Sequence, residues 1–424
     1  MRIVYCFLTY LLIPVVLLRL LWRSRLAPAY KKRWPERFGF FKFSTADQHG
    51  IWVHVVSVGE VIAAVPLIQA LSKQYPQKKL IVTTMTPTGS ERVRSNLPKE
   101  IFHVYTPYDI PGAINRFLNK VKPDLLILME TELWPNILHA CKKRKIPTLL
   151  ANARLSAKST KGYQHFQPLT KQMLACLSVI AAQAKPDAER FISLGATEAQ
   201  IKITGNMKFD LQVPASLQES AEILRQKLGS HRPIWVAAST HEGEDEILLR
   251  AFKKIRLEFP ESLLILVPRH PERFNKVAQL CKKEGFRLAR RSTRESCLDN
   301  TAIFLGDTMG ELRLFFGAAD LAFIGGSLIP RGGHNMLEAA AFGLPILTGP
   351  HFFNFLEVAR LLQEADAIRI VNNENELAEQ VILLMKETNL RYLLGERCQQ
   401  VVKANRGALE NHLTIIEKLL CSGL

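Results

Sequence analysis

"FIGGSLIPRGGHNMLEAAAFGLPILTGPHFFNF", residues 323–355, is the stretch that decides the fold. An apolar run ends in a pair of glycines, Gly325 and Gly326, and a loop carrying Arg331 leads to a second glycine pair. The pattern predicts a strand, a helix that ends at Gly343, and then another strand. Glycines let a ligand approach the backbone closely, and free N–H groups at a helix start attract phosphate. We therefore expect an α/β unit with an anion-binding turn.

Glu338 lies about one turn into the predicted helix, residues 335–341. Near a helix start a carboxylate can accept hydrogen bonds from ribose hydroxyls, and the alternative is that Glu338 only complements the helix dipole. Two more turns follow strands in the same half of the chain. They contain Pro268, Arg269 and His270 in "LLILVPRHPERF", and Gly310 and Glu311 in "GDTMGEL". Arg269 suits pairing with a phosphate, and three such turns together predict a nucleotide site.

Strand-like and helix-like segments alternate along the chain, in two series separated by a polar segment, residues 209–220. Short apolar runs between amphipathic helices are typical of parallel sheets with crossover helices. We predict two Rossmann-like α/β domains, residues 41–212 and 213–424, the second ending in one or two helices. Because ligands bind at the carboxyl ends of parallel strands, we expect the two domains to face a cleft.

The composition is that of a folded globular protein, since 47% of the 424 residues are hydrophobic and 22% are charged. Lys and Arg outnumber Asp and Glu by 56 to 39, which gives a formal net charge of +17. This surplus predicts a polyanionic neighbour: nucleic acid, an anionic membrane surface or a phosphorylated substrate. The seven cysteines include no C-x-x-C pair, so neither a zinc site nor a disulfide framework is expected.

Residues 1–40 predict a membrane anchor with a basic and aromatic interfacial segment. Residues 3–18 are apolar apart from Thr9 and Pro14, and a stretch rich in Arg, Lys, Trp and Tyr follows, residues 23–37. Positive charge marks the cytosolic side of a membrane, and Trp and Tyr favour the headgroup layer. The alternative is a buried N-terminal helix of a soluble domain. We expect an anchor helix in the inner (cytoplasmic) membrane, with the body of the protein in the cytosol.

"VSVGE", residues 56–60, contains the main candidate for catalysis. Ser57 and Glu60 have the S-x-x-E spacing of a capping box, which by itself explains Glu60. The alternative is that Glu60 removes a proton from a substrate. A helix N-terminus favours a carboxylate's charge, so we expect Glu60 to be ionised near neutral pH. Because a carboxylate held in a capping box is less free to act as a base, the two interpretations compete.

Several motifs resemble those of a known family. "GGHN", Glu338 and "FGLP" resemble the donor-nucleotide signature of GT-B glycosyltransferases, which have two Rossmann-like domains. "VSVGE", "METELWPN", "GNMKFD", "PRHPERF" and "GDTMGEL" occur in this order and resemble the 3-deoxy-D-manno-octulosonic acid (Kdo) transferases of lipopolysaccharide assembly. The resemblance runs from the anchor and "RWPERFG" to beyond Phe355. It implies the GT-B fold and an inverting transfer of Kdo from CMP-Kdo to the lipid A precursor lipid IVA, a tetraacylated disaccharide bisphosphate.

The resemblance implies catalytic roles for three residues. The family's general base is the glutamate of "VSVGE", which here is Glu60. Glu130 and Lys208, from "METELWPN" and "GNMKFD", would stabilise charge in the transition state, and Glu132 is an alternative to Glu130. The ordinary interpretations are a polar strand end for Glu130 and a solvated side chain for Lys208. We expect Lys208 to reach the departing phosphate of CMP.

The implied CMP-binding site lies in the second domain. Its residues are Pro268, Arg269, His270, Met309, Gly310, Glu311, Asn335, Met336, Leu337 and Glu338. The sequence contains no paired Asp motif for a metal–diphosphate complex, so no metal and no cofactor are expected. The basic run "KKRK", residues 142–145, either faces the membrane or is a solvated helix end.

Two other functions compete with Kdo transfer. The nearer one is a glycosyltransferase or epimerase of the same fold that uses a UDP-sugar. The more remote one is a basic nucleic-acid-binding protein, but the basic residues are not expected to be interleaved with exposed aromatic ones, and no recognition module is visible. We therefore expect CMP-Kdo, a lipid A precursor and an anionic membrane surface as partners, and no nucleic acid.

Overall fold

The computed structural model describes residues 1–26 and 28–421, and the chain forms two compact units. The first unit comprises Met1–Lys208 together with Arg406–Leu424, and the second comprises Phe209–Asn405. Each unit is built around a seven-stranded sheet. The strand pairings that define both sheets are parallel. The prediction of two α/β domains with parallel sheets is confirmed.

The first sheet has the strand order β3-β2-β1-β4-β5-β6-β7, so the direction of winding reverses between β1 and β4. Its strands are β1 (Ile51–His54), β2 (Leu80–Thr84), β3 (Phe102–Tyr105), β4 (Leu125–Met129), β5 (Thr148–Ala153), β6 (Val179–Ala182) and β7 (Ile201–Ile203). The first helices in the chain are α1 (Arg2–Leu11), α2 (Ile13–Leu26), α3 (Val58–Gln74), α4 (Pro87–Asn96), α5 (Pro111–Val121), α6 (Pro135–Lys143), α7 (Ala157–Gln164), α8 (Gln167–Leu174) and α9 (Lys185–Ser193). Open parallel sheets bind ligands at such a reversal, beyond the carboxyl ends of the strands.

Both faces of the first sheet are covered by apolar side chains. In β1, Trp52 belongs to one core cluster, whereas Ile51 and Val53 belong to another. In β4, Leu126 packs in the first cluster and Ile127 in the second. Successive side chains of a strand point to opposite faces, so each cluster covers one face of the sheet. Burial on both faces explains why these strands are continuous apolar runs rather than alternating ones.

The N-terminal segment forms two helices rather than the single anchor helix that the sequence predicts. α1 and α2 meet at a bend of 47°, and Pro14, in the first turn of α2, has no N–H with which to continue α1. Within residues 1–26 and 28–421, no single helix combines the length and apolar composition that crossing a membrane requires. In the described part of the chain, α1 and α2 satisfy the length and composition criteria when they are taken together as one bent pair. The single anchor helix is therefore not confirmed.

One side of α1 packs on the first unit. The Tyr10 hydroxyl oxygen accepts a hydrogen bond from the Gly112 N–H at 3.2 Å, and Cys6 Sγ donates to Asn136 Oδ1 at 3.0 Å. The side chains on its other side are exposed, with Phe7 at 69% and Leu11 at 62%. α1 is thus fixed to the body while it presents apolar side chains outward.

The second sheet has the order β10-β11-β9-β8-β12-β13-β14, and its winding reverses between β8 and β12. Its strands are β8 (Ile234–Thr240), β9 (Leu263–Pro268), β10 (Leu288–Arg290), β11 (Ile303–Leu305), β12 (Leu321–Ile324), β13 (Ile346–Thr348) and β14 (Ile368–Ile370). The helices of this unit are α10 (Ala215–Leu228), α11 (Asp245–Glu258), α12 (Phe274–Lys283), α13 (Leu312–Gly317), α14 (Leu337–Ala341), α15 (Leu356–Glu364), α16 (Glu374–Lys386) and α17 (Thr388–Ala404).

The structure differs from the sequence prediction at both ends of the second unit. The segment interpreted as a polar linker leads into α10, which buries Leu224 and Leu228 in the core of the second unit. Three helices follow β14 instead of one or two, and the last of them, α18 (Ala408–Cys421), belongs to the first unit. Its Ile416 packs in a core cluster of the first sheet. A helical period indicates that one face is buried, but it does not indicate which sheet covers that face.

Candidate active site

Glu60 lies in the first turn of α3, directly after β1. Its carboxylate accepts hydrogen bonds from the Ser57 hydroxyl at 2.6 Å and from the N–H groups of Ser57 at 3.2 Å and Val56 at 2.8 Å. In return, the Glu60 N–H donates to Ser57 Oγ at 3.3 Å. The capping box is therefore formed. A carboxylate has about four lone-pair sites, and these contacts occupy three of them, so acceptor capacity remains.

Burial changes the charge state that we expected for Glu60. The residue is only 6% exposed, and burial raises its pKa to about 7, although hydrogen bonds from Ser57 and Val56 lower the pKa. The nearby carboxylates of Glu132 and Glu130 raise it further. The raised pKa disagrees with the expectation that Glu60 is ionised near neutral pH, because desolvation outweighs the hydrogen bonds that favour the charged form. A carboxyl group with a pKa near 7 is suited to accept a proton under physiological conditions.

Glu130 and Lys208 form an ion pair in the first unit. Lys208 Nζ lies 3.3 Å from Glu130 Oε1, and both side chains are about one-third exposed. Glu130 follows β4 and has a left-handed backbone with φ of 55°, a conformation that is costly for residues other than glycine and that is found at functional sites. Glu132 is held differently, because its Oε2 accepts a hydrogen bond of 2.8 Å from the Trp134 indole N–H.

The three predicted catalytic residues lie in one unit, and two of them follow neighbouring strands. β1 and β4 pair at the reversal of the first sheet, so Glu60 and Glu130 lie at the same carboxyl edge. The electrostatic effect of Glu130 on the pKa of Glu60 is consistent with this proximity. In this structure Lys208 binds Glu130, so any contact with the CMP phosphate stays a prediction.

The glycine loop after β12 is held by a carboxylate that the sequence analysis missed. Glu244, fully buried just before α11, accepts hydrogen bonds from the N–H groups of Gly326 at 2.7 Å, Ser327 at 3.1 Å and Leu328 at 3.0 Å. A side chain at Gly325 would place its Cβ 2.8 Å from Glu244 Oε2, so this loop requires glycine. The acidic run "HEGED" after β8 was the available signal, but the run alone does not identify the backbone that it binds.

Three histidines meet beyond the carboxyl ends of β8, β9 and β12. His241 Nε2 and His334 Nε2 are 2.8 Å apart, and the His270 ring centre lies 5.4 Å from that of His241. Two ring nitrogens at that distance require one N–H donor and one acceptor. Burial lowers the pKa of His241 to about 4 and that of His334 to about 3, so both rings are neutral at pH 7. Arg269, exposed at the end of β9, supplies positive charge beside them.

The helix after the glycine loop is shorter than predicted. α14 has five residues and begins at Leu337, so Asn335 precedes it, and Asn335 Oδ1 accepts the Leu337 N–H at 3.1 Å. Glu338 is the second residue of the helix rather than one turn into it. Burial raises the pKa of Glu338, and Arg313 and Arg269 oppose that rise.

Some predicted donor-site residues can contribute only backbone atoms. Met336 and Leu337 are fully buried in the core of the second unit, and Pro268 is the buried last residue of β9. Met309 is half exposed, and Gly310 has a φ of 86°. These residues therefore shape the site, whereas Arg269, His270 and Glu338 offer polar side chains.

The carboxylate of Glu311 is bound within the protein. Arg291 donates from Nη2 to Oε1 at 2.6 Å and from Nε to Oε2 at 3.0 Å, and the Thr308 hydroxyl also donates to Oε2. Arg291 lowers the pKa of Glu311. Glu311 thus fixes the "GDTMGEL" turn. Arg291 and Glu311 also line a cavity of 890 Å³ with Arg290 and Arg294.

Among residues 1–26 and 28–421, no group of three His, Cys, Asp or Glu side chains is arranged to hold a metal ion.

Comparison with known proteins identifies the family. The model of the family described as "3-Deoxy-D-manno-octulosonic-acid transferase (kdotransferase)" matches residues 32–211. The 3-deoxy-D-manno-octulosonic acid transferase of Haemophilus influenzae is 44% identical over 421 residues, which are 99% of this chain and 99% of the relative.

Two solved structures resemble the fold over most of the chain. A UDP-GlcNAc 2-epimerase from Neisseria meningitidis, bound to UDP-GlcNAc, is 14% identical and has a TM-score of 0.57, covering 88% of this chain and 100% of its own. A glycosyltransferase from Rickettsia africae is 15% identical with a TM-score of 0.56, covering 88% and 99%. At these identities the likeness shows the fold alone, two parallel-sheet α/β domains as in GT-B glycosyltransferases. With the full-length relative at 44% identity, the chain is a glycosyltransferase and belongs to the 3-deoxy-D-manno-octulosonic acid transferase family.

Proposed function

We propose that this protein transfers Kdo from CMP-Kdo to the lipid A precursor lipid IVA, with inversion at the anomeric carbon. The observation that carries the proposal is Glu60, a carboxyl group with a pKa of about 7 at the carboxyl edge of the first sheet. An inverting transferase needs one base that is partly deprotonated at neutral pH and lies where strands end. Glu60 meets both requirements in a chain of this family.

In the proposed reaction Glu60 removes the proton from an acceptor sugar hydroxyl. The hydroxyl oxygen forms a bond to the anomeric carbon of Kdo while the bond from that carbon to the phosphate oxygen of CMP breaks. CMP leaves with the electron pair. Lys208, held 3.3 Å from Glu130, stabilises the negative charge that develops on the phosphate. We assign the second carboxylate to Glu130 rather than Glu132, because Trp134 already binds Glu132.

We assign donor binding to the second unit. Arg269 supplies a guanidinium that matches phosphate geometry, next to the neutral pair His241 and His334. Glu338, partly buried near the start of α14, is placed to accept hydrogen bonds from ribose hydroxyls. CMP-Kdo carries a carboxylate and a phosphate, and lipid IVA carries two phosphates, which agrees with the net charge of +17.

We also propose that the protein is held at the cytosolic face of the inner membrane. Many outward side chains of α1 and α2 are apolar, among them Phe7, Leu11 and Trp22, and Arg19 of α2 is exposed beside them. Arg23 and Arg25 follow in the last turn of α2. An apolar helix face with adjoining arginines binds an anionic lipid surface through burial and charge together. Attachment there would bring the enzyme to a lipid acceptor.

Mass spectrometry of the products tests this function. Purified enzyme is incubated with lipid IVA and either CMP-Kdo or a set of UDP-sugars. The molecular mass of the lipid product is then measured. We expect mass increments of Kdo with CMP-Kdo and no change with UDP-sugars. Calorimetry should correspondingly give tighter binding of CMP than of UMP or UDP. A product formed from a UDP-sugar, with no Kdo transfer, would replace this proposal with the UDP-sugar alternative.

A further inference from the structure

Asn152, near the end of β5, is bound by the C-terminal helix. It is fully buried and has a left-handed backbone with φ of 51°. Its N–H donates a hydrogen bond of 2.9 Å to Nε2 of His412 in α18. His412 is also fully buried, and its Nδ1 lies 2.6 Å from the Ala408 carbonyl oxygen. Because Nε2 accepts, the ring proton is on Nδ1 and is donated to Ala408, which makes His412 a neutral imidazole in a fixed orientation.

The same short segment of β5 also holds both members of the Glu130–Lys208 pair. The Ala151 carbonyl oxygen accepts the Glu130 N–H at 2.9 Å. Asn152 Oδ1 accepts the Met207 N–H, one residue before Lys208, at 3.1 Å. Gln183 Nε2 donates to the Asn152 carbonyl oxygen at 2.8 Å. The Ala151 carbonyl and the Asn152 side chain therefore hold two segments, whose Glu130 and Lys208 side chains meet at 3.3 Å.

α18 contacts the Lys208 segment at a second point. Asn411, next to His412, donates from Nδ2 to the Thr204 carbonyl oxygen at 3.1 Å. Thr204 follows β7 and begins the turn that ends at Lys208. One helix turn thus holds β5 through His412 and the turn after β7 through Asn411. These two contacts restrict the movement of β5 and of the turn after β7 relative to each other.

We propose that His412 is a positioning residue for the Glu130–Lys208 pair, acting through Asn152. This inference rests on the catalytic role proposed for that pair. Asn tolerates the left-handed conformation better than most residues, and the hydrogen bond from its N–H to His412 holds it there. Without the acceptor at Nε2, Asn152 would relax, and Met207 and Lys208 would move with it. α18, which joins the first unit after the chain has completed the second, is then part of the catalytic unit.

The test compares three substitutions in α18 of the full-length enzyme. His412→Leu keeps volume and removes the acceptor, and His412→Gln places an amide oxygen near the position of Nε2. Ile416→Val is the matched control, because Ile416 is equally buried in the same helix. We expect kcat to fall at least about tenfold in His412→Leu, since small misplacements of catalytic groups are costly. KM for CMP-Kdo and the affinity for CMP should be unchanged. His412→Gln should recover most of kcat, and Ile416→Val should keep it.

A second measurement separates positioning from a merely structural effect. In a Lys208→Met background, His412→Leu should cause a much smaller further loss of kcat, because the Lys208 side chain, whose segment Asn152 Oδ1 holds, is gone. A full additional loss there, or a wild-type kcat in folded His412→Leu, would overturn the proposal. If His412→Leu does not fold, Asn152→Gly tests the second half of the link, because glycine keeps the left-handed backbone and the N–H that binds His412 but removes the Oδ1 that binds Met207. It should lower kcat, and a wild-type kcat would again overturn the proposal. A wild-type rate in Lys208→Met would instead overturn the catalytic assignment of Lys208 itself.

Discussion

The hydroxyl of Ser57 donates a hydrogen bond of 2.6 Å to the carboxylate of Glu60, and the Glu60 N–H donates to the same hydroxyl oxygen at 3.3 Å. The capping box and the proposed base therefore use one side chain without excluding each other. The box fixes the rotamer of Glu60, and burial raises its pKa to about 7. The contacts that start α3 thus also hold a titratable carboxylate at the edge of the sheet.

The pKa of Glu60 predicts the pH dependence of turnover. A general base works only when deprotonated, so kcat should fall about tenfold per pH unit below a pKa near 7 and level off above it. The Ser57 hydroxyl lowers this pKa, so Ser57→Ala should move the acid limb to higher pH. Initial rates between pH 5 and pH 9 at saturating substrates measure the acid limb and the plateau for both proteins. Identical pH profiles for wild type and Ser57→Ala would show that the acid limb does not report the pKa of Glu60.

Two matched substitutions decide between the neighbouring glutamates. Glu130→Gln removes the charge that binds Lys208, and we expect kcat to fall by about 10²-fold or more, the scale for losing one stabilising group in a transition state. Glu132→Gln keeps an oxygen acceptor for the Trp134 indole and should leave kcat within a few-fold of wild type. The opposite ranking in a steady-state assay would transfer the role to Glu132.

The donor site should depend on residues of the second unit. Glu338→Ala and Arg269→Ala are each expected to weaken CMP binding by about 1–3 kcal/mol, the range for hydrogen bonds that involve a charged group. Glu258→Ala, an exposed carboxylate of α11 paired with Lys386, serves as the control and should bind CMP normally. Titration calorimetry measures all three. Unchanged CMP affinity in both test variants would refute the donor site.

The N-terminal helices should attach the protein to membranes without taking part in chemistry. Deleting residues 1–20 should move much of the protein to the soluble fraction and preserve activity on detergent-dispersed acceptor. Phe7→Glu with Leu11→Glu tests the exposed face while keeping the contacts of Tyr10 and Cys6 with the body. It should also release protein on flotation with anionic vesicles. A folded but inactive truncation would indicate that this segment helps form the acceptor site.

The sequence predicts those parts of the fold that depend on local pattern. β4 and β12 coincide with the continuous apolar runs at residues 125–129 and 321–324, each of which follows an Asp and ends at a Glu or a Gly. β7, β10 and β14 were missed, since each has three residues and lies at the edge of its sheet. Strands that short carry no measurable period.

The features of the candidate site that could not be predicted from the sequence depend on contacts between distant parts of the chain. Residue type and motif brought Glu60, Glu130 and Lys208 into consideration, but the ion pair between the last two joins residues 78 apart in sequence. Glu244 and His412 were not identified, because their role is to accept backbone N–H groups from remote segments. The raised pKa of Glu60 is likewise set by burial, which depends on the complete fold.

Turnover of Glu60→Gln tests the central claim most directly. Gln keeps the size and most hydrogen bonds of the capping box but cannot accept the proton, so kcat should fall by more than about a hundredfold. Burial of the charged form opposes folding as pH rises from the ordinary value of 4.5 to about 7. The variant should therefore melt no lower than wild type at pH 8, and it should bind CMP equally well. Ser57→Ala, which breaks the box but keeps the carboxylate, should lose about 0.5–2 kcal/mol of stability and retain turnover at pH 9. Near-normal turnover in Glu60→Gln would contradict the account and leave Glu60 as a helix cap alone.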